Sequence, residues 1–444
     1  MTQTRFKPYP ETKDSGIEWL GQIPVHWDVV RLKHASGGLT VGVVVNPSTY
    51  VCDSGVPFLR GVDIAEGRIL LDSVQFMSEE SNRALSKSTL RSGDLVSIRV
   101  GYPGVTAVVP EELDGSNCAS LMITRRSERV SSAFLCLVMN SAVGKAQFTM
   151  LQNGAAQEQI NVSDAVDFLV PMPPMSEQQA IADFLDRETA KIDALVEKKE
   201  RLIELLQEKR TALITHAVTK GLDPDVPMKD SGIEWLGQFP AHWAETRLGW
   251  AVQVSGGHTP DTGELRFWDG EIPWVTPKDM KRRVITDSLD HVSEAALSET
   301  GLRLLATGNV LIVVRGMILA HTFPVAVLRA PATINQDMKA LLPTDGLKSD
   351  YLAYLLEGIS KFILSLVEES AHGTRRLQTE LWKRVQLFLP PPIEQARIVN
   401  YLDRETAKID ALIAKVGEAI ERLKEYRTAL ISAAVTGKID VRGI

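Results

Sequence analysis

The sequence predicts an α/β protein of the α+β kind: two globular domains related by internal duplication and separated by two long helices that form an antiparallel coiled coil. Three observations indicate this architecture. The chain of 444 residues carries a repeat with a period of about half its length. Each copy of the repeat ends in a long stripe of apolar residues at helical spacing. The middle of each copy differs in sequence while keeping a common frame.

The duplication is visible in two blocks of identical sequence. KDSGIEWLGQ at residues 13–22 recurs at residues 229–238, and LDRETAKIDAL at residues 185–195 recurs at residues 402–412. The two offsets, 216 and 217 residues, are nearly the same. A period of this length is too long for a solenoid repeat, so it indicates a duplicated domain pair.

The regions between the identical blocks keep only a faint common frame. GVPFLRGVDI at residues 55–64 aligns with EIPWVTPKDM at residues 271–280, and SGDLVSIRVG at residues 92–101 aligns with TGNVLIVVRG at residues 307–316. We therefore expect the two middle regions to share a fold while presenting different side chains, as two readers of two different targets would.

Helical periodicity runs from Glu177 to about Val218 and again from Glu394 to about Val435. Runs of about 40 residues would form helices of about 60 Å. We expect the two helices to pair with each other, antiparallel about a pseudo-two-fold axis. The predicted seam holds Ile192, Leu195, Lys199, Leu202, Leu206, Lys209 and Leu213 in the first helix, and Ile409, Leu412, Val416, Ala419, Leu423, Tyr426 and Leu430 in the second.

Seven segments follow from these patterns. They are an N-terminal conserved segment (1–27), a first globular domain (28–175), a central long helix (176–219), a linker with the repeated segment (220–243), a second globular domain (244–392), a C-terminal long helix (393–436) and a tail (437–444).

Composition excludes some classes of protein. Three cysteines at wide spacing argue against a disulfide framework or a zinc site, and we expect no metal site. The chain has no apolar run of membrane-spanning length and its first residues lack a secretory pattern, so we expect a cytoplasmic location. The formal net charge of −7 counts mildly against nucleic-acid binding, although charge acts locally.

Catalytic motifs are missing from the sequence. We find no phosphate-binding G-x-x-x-x-G-K-[ST] loop, no Asn/Asp-Pro-Pro-aromatic motif of an amino-methyltransferase, no G-x-S-x-G elbow and no H-E-x-x-H helix. Asn335 with Gln336 and Asp337, and the carboxylate pair at residues 111–112, sit in no motif that positions a nucleophile or a base. We therefore predict no catalytic residue and no enzyme activity in this chain.

Two further motifs recur in both copies. A proline run that leads into Glu-Gln and a helix reads PMPPMSEQQAIADFLD at residues 171–186 and PPPIEQARIVNYLD at residues 390–403. A P-x-x-W segment reads IPVHWDVVRL at residues 23–32 and FPAHWAETRL at residues 239–248. In these motifs, their order and the repeat, essentially the whole chain resembles the specificity subunits of Type I restriction-modification systems.

The resemblance implies a function for each part. Each globular domain would be a target-recognition domain that reads one half of an asymmetric, bipartite site in double-stranded DNA. The helices would set the spacing and dock two modification (methyltransferase) subunits, joined in some systems by two restriction subunits. S-adenosylmethionine, ATP and Mg²⁺ would bind to those partner subunits, and this chain would carry no cofactor.

Two other interpretations remain open. The chain could be a stand-alone DNA-modifying enzyme, a methyltransferase or a nuclease, although the missing motifs argue against this. It could also be a coiled-coil scaffold protein without a DNA role. A scaffold has no reason to vary only its globular parts, and this argues against the scaffold interpretation.

Candidate DNA-binding residues follow from the chemistry of base edges, because Arg and Lys suit guanine while Asn and Gln suit adenine. For each of them, an ordinary solvated surface residue is the alternative. Arg60 and Thr276 occupy the same place in the repeat frame, so they could carry different specificities. The candidates are Arg60, Arg99, Tyr102 and Gln157 in the first domain, and His258, Thr259, Thr276, Lys278, Lys281, Arg282, Arg283, Arg315, Arg375 and Arg376 in the second, of which residues 281–283 favour phosphate contact.

Residues that are identical in both copies cannot discriminate between two half-sites. We therefore predict that they pack within the protein or bind two copies of one partner. The candidates for partner binding are Trp19 and Trp235, together with Arg187, Glu188, Lys191, Arg404, Glu405 and Lys408 on the two helices.

Overall fold

The structure, a computed structural model, describes residues 6–151, 159–369 and 373–443. The chain forms two compact units. Unit 1 comprises Met1–Glu200 and Glu418–Ile444, and unit 2 comprises Arg201–Gly417. Both boundaries fall inside the long helices, so each unit contains the first part of one long helix and the last part of the other. The seven segments drawn from the sequence follow the helix ends instead, and they stay a prediction.

Unit 1 mixes short strands with short helices ahead of a long helix. Its helices are α1 (Leu32–Ala35), α2 (Glu79–Ala84), α3 (Ser132–Asn140), α4 (Ala142–Leu151), α5 (Val162–Ala165) and the start of α6 (Met175–Lys220). Its strands are β1 (Thr12–Asp14), β2 (Gln22–Pro24), β3 (Asp28–Arg31), β4 (Leu39–Val41), β5 (Val51–Cys52), β6 (Val56–Leu59), β7 (Ile64–Ala65), β8 (Arg68–Ile69), β9 (Gln75–Met77), β10 (Leu95–Ile98), β11 (Thr106–Val108), β12 (Asn117–Cys118), β13 (Leu121–Thr124) and β14 (Leu169–Met172).

Unit 2 has the same kind of organisation. Its helices are the end of α6, then α7 (Leu248–Ala251), α8 (Glu294–Glu299), α9 (Ser349–Gly358), α10 (Ser360–Ser365), α11 (Thr379–Lys383) and most of α12 (Pro392–Val435). Its strands are β15 (Met228–Asp230), β16 (Gln238–Pro240), β17 (Ala244–Arg247), β18 (Val252–Gly256), β19 (Ile272–Val275), β20 (Val284–Ile285), β21 (Asp290–Val292), β22 (Val310–Val313), β23 (Val325–Leu328), β24 (Thr333–Ile334), β25 (Met338–Pro343), β26 (Val367–Glu369), β27 (Arg375–Leu377) and β28 (Gln386–Leu389).

Two main sheets form in each unit. Unit 1 has sheets of order β11-β10-β13-β4 and β12-β6-β9-β5, and unit 2 has sheets of order β18-β25-β22-β23-β20 and β21-β19-β24. The pairing is antiparallel except for β12 with β6, β24 with β19 and β20 with β23. The mixed content of helix and sheet in two units with two long helices confirms the predicted fold class.

The repeated sequence motifs fasten each long helix to its unit. In unit 1 the Trp27 indole donates to Glu177 Oε1 at 3.1 Å, and His26 lies 2.8 Å from the other oxygen of that carboxylate. In unit 2 the Trp243 indole makes the same 3.1 Å bond to Glu394. The P-x-x-W and Pro-Glu-Gln motifs are therefore two sides of one contact, because the tryptophan of the first meets the glutamate of the second.

The helices run antiparallel within each unit. In unit 2, Arg210 of α6 bonds to Asp410 of α12, while Gly221, just beyond the end of α6, lies beside the Glu394 carboxylate near the start of α12. In unit 1, Arg427 of α12 bonds to Asp193 of α6. Later residues of one helix thus meet earlier residues of the other, as the sequence predicts.

The seam between the helices is narrower than predicted. Ile192, Leu206, Ile409, Val416 and Leu430 are buried, as a seam requires. The other seam positions are half-buried or exposed, because two helices alone cover only one stripe of each other's surface. The exposed seam positions are Lys209, Leu195 at 47%, Leu202 at 40%, Leu412 at 44% and Tyr426 at 42%.

Candidate nucleic-acid interface

In unit 2 several strands end at one edge of the sheets. β18 and β22 both pair antiparallel with β25, so the end of each lies beside the start of β25. β19 and β24 run parallel, and the Asn335 N–H donates to the Val275 carbonyl at 3.1 Å just beyond them. The loops that follow these strands therefore meet. We name this surface the strand-end edge of unit 2, with exposed or half-buried side chains from His258, Thr259, Arg315, Gln336 and Arg376.

Two arginines of this edge are held side by side by the backbone. Arg315 and Arg376 form an isolated antiparallel bridge, and the Leu377 N–H donates to the Val314 carbonyl at 2.9 Å. Both arginines are exposed. Among the described residues neither guanidinium has a hydrogen-bond or ion-pair partner. The edge therefore presents two adjacent forks of donors to an external acceptor.

Polar side chains lie beside the arginine pair. The Arg315 N–H donates to the Asp337 carbonyl at 3.2 Å, which brings the loop after β24 close. The Thr259 hydroxyl donates to the Gln336 side-chain oxygen. His258 is exposed, and its backbone is anchored by the Ile334 carbonyl at 3.0 Å. Gln336, which the sequence singles out only beside Asn335 as a rejected catalytic candidate, thus lies on this edge.

Unit 1 builds the equivalent edge with the same backbone contacts. The Ala119 N–H donates to the Leu59 carbonyl at 2.7 Å, and the Val43 N–H donates to the Cys118 carbonyl at 2.8 Å. An isolated bridge joins Val100 to Gln159. We name this surface the strand-end edge of unit 1; it carries Val44 at 50% exposure, Val45 at 72%, Val100 at 50% and Tyr102 at 80%.

Two candidate DNA-binding residues of unit 1 differ in how accessible their side chains are. Tyr102 lies in the turn between β10 and β11, and its side chain is open to solvent. Arg99 donates from Nε to the Ile160 carbonyl at 3.1 Å, and burial lowers the pKa of its guanidinium. Arg99 thus helps to hold the edge together. Gln157 lies outside the described residues.

The matched pair Arg60 and Thr276 caps the same turn in each unit. The Arg60 N–H donates to the buried carboxylate of Asp63 at 2.8 Å, and its guanidinium donates to the Ser73 carbonyl at 2.8 Å. The Thr276 N–H donates to Asp279 at 2.8 Å and its hydroxyl at 3.0 Å. Thr276 is only 5% exposed, so the structure gives this position a capping role rather than an accessible surface for base contact.

The basic run after β19 separates into two kinds of residue. Lys278, Lys281 and Arg282 are exposed around an open cavity of about 340 Å³. Arg283 lies over the Tyr354 ring, with its guanidinium carbon 3.0 Å from the ring centroid. It also donates to the Asp350 carbonyl at 3.0 Å. Arg283 is therefore engaged in contacts inside unit 2, and its contact with phosphate stays a prediction.

Arg375 is also engaged. Its guanidinium pairs with Glu369 across the β26–β27 hairpin at 3.2 Å. The neighbouring Arg376 points to the opposite face of the strand, as alternation along a strand requires, and remains exposed.

The candidates for partner binding on the two long helices are charged residues, and two of the lysines form ion pairs on their own helix. Lys191 pairs with Glu188 on α6 at 2.6 Å, and Lys408 pairs with Glu405 on α12 at 2.8 Å; the latter bond lowers the pKa of the Glu405 carboxyl. Arg187 and Arg404 are exposed on the same helices.

The two repeated tryptophans have different surroundings. Trp19 is half-buried against the core of unit 1. Trp235 is 38% exposed and stacks on Phe362, with 4.6 Å between the ring centroids. Identical sequence blocks therefore present different surfaces.

The described residues form neither a metal-ligand cluster nor a single membrane-spanning helix. No group of three or more His, Cys, Asp or Glu side chains in the described ranges is arranged to hold a metal ion. No single helix there has the length and apolar character that crossing a membrane requires; the bent pair α3 and α4 meets that test only when its two parts are taken together.

Sequence comparison gives a consistent set of relatives. The family model described as "Type I restriction modification DNA specificity domain" matches residues 240–422. The specificity subunit of the Type I restriction enzyme EcoR124I/EcoR124II from Escherichia coli is 30% identical over 206 residues, which is 46% of this chain and 48% of that protein. The putative MjaX specificity subunit from Methanocaldococcus jannaschii is 21% identical over 438 residues, 95% of this chain and 96% of that protein. The chain thus spans about half the length of the first of these relatives.

Structural comparison extends over nearly the whole chain. A chain from a type I R-M system, solved in a study of complex assembly and conformational transition, matches with a TM-score of 0.67 and 23% identity, covering 93% of this chain and 98% of that one. The HsdS subunit from Thermoanaerobacter tengcongensis matches with a TM-score of 0.54 and 22% identity, covering 94% and 98%. At these identities the likeness establishes the fold.

Proposed function

We propose that this chain is a specificity subunit of the Type I restriction-modification family and that it reads DNA for a methyltransferase complex, since the family model for the DNA specificity domain matches residues 240–422. Each unit would read one half of an asymmetric, bipartite site in double-stranded DNA. The observation that carries the proposal is the pair of strand-end edges, which share their backbone contacts and differ in their side chains. Two readers of different half-sites need one scaffold and two chemistries.

Local charge supports DNA as the ligand. The chain has a formal net charge of −7, yet unit 2 exposes several cations in the loops that follow its strands. Lys281 and Arg282 have the exposure that phosphate contact requires, and Arg315 and Arg376 carry unpaired guanidinium groups among the described residues. Lysines and arginines that neutralise phosphates release counterions, so the affinity of this surface would fall with salt.

We propose that the residues shared by both copies dock two modification subunits. Arg187 and Arg404 are exposed at equivalent places on the two long helices. Leu195 and Leu412, also equivalent, are 47% and 44% exposed on a helix pair that does not cover them. Exposed apolar side chains are costly in water, and a partner that covers them removes this cost.

The chain would have no catalytic role of its own in this proposal. Adenine methylation at N6 would belong to the modification subunits, which bind S-adenosylmethionine. ATP and Mg²⁺ would serve restriction subunits, where the system has them. The role of this chain would be to select the DNA sequence that the complex methylates.

The test is a map of N6-methyladenine in cells that carry this gene with its neighbouring modification gene, and in cells from which this gene is deleted. We expect a split, asymmetric motif that disappears on deletion. A methylation pattern that does not change on deletion, in cells where the modification subunit is active and copurifies with this chain, would contradict the proposal. Binding of S-adenosylmethionine by the purified chain alone would favour a stand-alone methyltransferase instead.

A further inference from the structure

In the two strand-end edges, the residues of the isolated bridge are equivalent in position but have side chains of different chemistry. In unit 2 the bridge joins Arg315 to Arg376, and in unit 1 it joins Val100 to Gln159. The flanking bonds also match, because the Ile160 N–H donates to the Arg99 carbonyl at 3.1 Å as Leu377 does to Val314 at 2.9 Å. The backbone geometry is therefore shared, while two guanidinium groups replace a valine and a glutamine.

The two arginines differ from their neighbours in having no internal partner among the described residues. Arg375 is paired with Glu369 at 3.2 Å, and Arg283 is enclosed by Tyr354 and Asp403. Arg315 and Arg376 are exposed on the edge where several loops meet. An arginine that is positioned by paired backbone and free at its tip can form two parallel hydrogen bonds without first breaking an ion pair.

Guanine is the base that such a fork fits. Its N7 and O6 atoms are adjacent acceptors in the major groove, and bidentate contact from arginine is the commonest specific contact. Valine offers only apolar contact, for example with the thymine methyl group, and glutamine suits adenine. The equivalent position in unit 1 therefore cannot select guanine in this way.

We propose that Arg315 and Arg376 are specificity-determining residues that select guanine in the half-site read by unit 2. The inference rests on the proposed function and names the bases that its strand-end edge takes. It also explains how one scaffold yields two different half-sites, since the substitution of two bridge partners changes the donors without changing the backbone.

The experiment transplants the unit 1 pair into unit 2 by the double substitution R315V/R376Q in the full chain. The variant is expressed with the modification subunit, and methylated sites are mapped and compared with those of the unaltered chain. We expect one half-site to stay unchanged and the other to lose its selection for guanine, with discrimination falling roughly 5- to 150-fold at each affected position. R303A, which removes an exposed arginine that precedes the start of β22, should leave the motif unchanged.

A second variant separates base contact from phosphate contact. R315K/R376K keeps both charges and loses both forks, so guanine selection should fall while the salt dependence of DNA binding by the complex stays the same. An unchanged motif in both variants, with binding to all sequences weakened evenly in R315V/R376Q, would identify phosphate contacts and overturn the inference. A motif without guanine in the affected half-site would also overturn it. If the unaltered chain directs no motif, the proposed function fails first, and the inference fails with it.

Discussion

Arg427 of α12 donates from Nε to Asp193 of α6 at 2.9 Å, and this contact has a twin in Arg210 of α6, which bonds to Asp410 of α12 at 3.0 Å. The twins differ in one respect. Arg210 also pairs with Glu357 of α9, and its side chain is 25% exposed, against 33% for Arg427. The same helix-to-helix bond is therefore embedded in a larger network in unit 2.

This difference predicts that alanine substitutions of the two arginines lower the free energy of unfolding by different amounts. Arg427→Ala should lower the free energy of unfolding by less than about 1 kcal/mol, because it removes one partly exposed ion pair. Arg210→Ala should cost about 1–3 kcal/mol, because it leaves two carboxylates without their donor. Urea unfolding of the full chain measures both. Equal losses would contradict the role assigned to Glu357.

Because the Glu177 carboxylate is more buried than its counterpart Glu394, replacing it should lower the free energy of unfolding by more. Glu177 is 5% exposed and accepts from Tyr9 and Trp27, whereas the Glu394 side chain is 27% exposed and accepts from Trp243. Glu177→Ala should therefore cost about 2–4 kcal/mol, since it leaves buried donors unsatisfied, and Glu394→Ala about 1 kcal/mol. Thermal unfolding of the two variants tests this, and a larger loss for Glu394→Ala would refute it.

Unit 1 should lose stability in mild alkali. Burial raises the pKa of the Cys118 and Cys136 thiols to about 12, while an unfolded cysteine titrates near ~8.5. A raised folded pKa stabilises the fold fully below ~8.5, and this contribution is lost as the pH rises toward 12. The free energy of unfolding should fall by up to about 1.4 kcal/mol per pH unit for each thiol in this window.

The matched control for this pH dependence is the exposed Cys52. The double variant C118A/C136A should lower the stability at every pH but flatten its decline between pH 9 and pH 10.5. Cys52→Ala should leave the decline unchanged. A decline of the same slope in all three proteins would show that other groups cause it.

Neighbouring cations of unit 2 should respond differently to removal. Arg283→Ala should destabilise the protein, because it removes the contact with Tyr354, whose pKa burial raises to about 12, and the bond to the Asp350 carbonyl. Lys281→Ala should leave stability within about 0.5 kcal/mol. It should lower the slope of log affinity for DNA against log salt by about 1. DNA binding by the complex at several salt concentrations measures this slope.

An outcome reversed between the two variants would contradict the structure. If Arg283→Ala changed the salt slope and left stability intact, its guanidinium would contact DNA rather than Tyr354. If Lys281→Ala left the slope unchanged, the basic run would have no role in phosphate contact.

Much of the fold could be predicted because it is written in linear patterns. The positions of α6 and α12 followed from a helical period and flanking prolines, and both helices begin two residues before the predicted start. The exposure of Leu195 and Leu412 could not be predicted, because a heptad pattern does not say how many helices cover it. The helical periodicity also does not indicate that the boundaries between the two units fall within the helices, at Glu200 and Gly417.

The candidate DNA-binding residues stay a prediction, and the sequence alone did not show which of them are engaged in internal contacts. Arg315 and Arg376 were among the cations expected to meet DNA, but so was Arg283, whose exposure the sequence could not distinguish from theirs. Arg60 and Thr276 were correctly matched as equivalent positions, but the matching could not show that both cap a turn. Gln336 was seen only as a rejected catalytic candidate, since nothing local links it to Thr259.

The sequence by itself determined the duplication, the two long helices and the pairing of shared with divergent regions, because identity at a constant offset and helical periodicity are properties of the linear chain. Only the tertiary structure decided which strand ends share an edge, which arginines are used internally and which remain free. Sheet register joins residues far apart in sequence, as it joins Arg315 to Arg376, and the burial of a charge depends on what packs over it rather than on its neighbours in the chain.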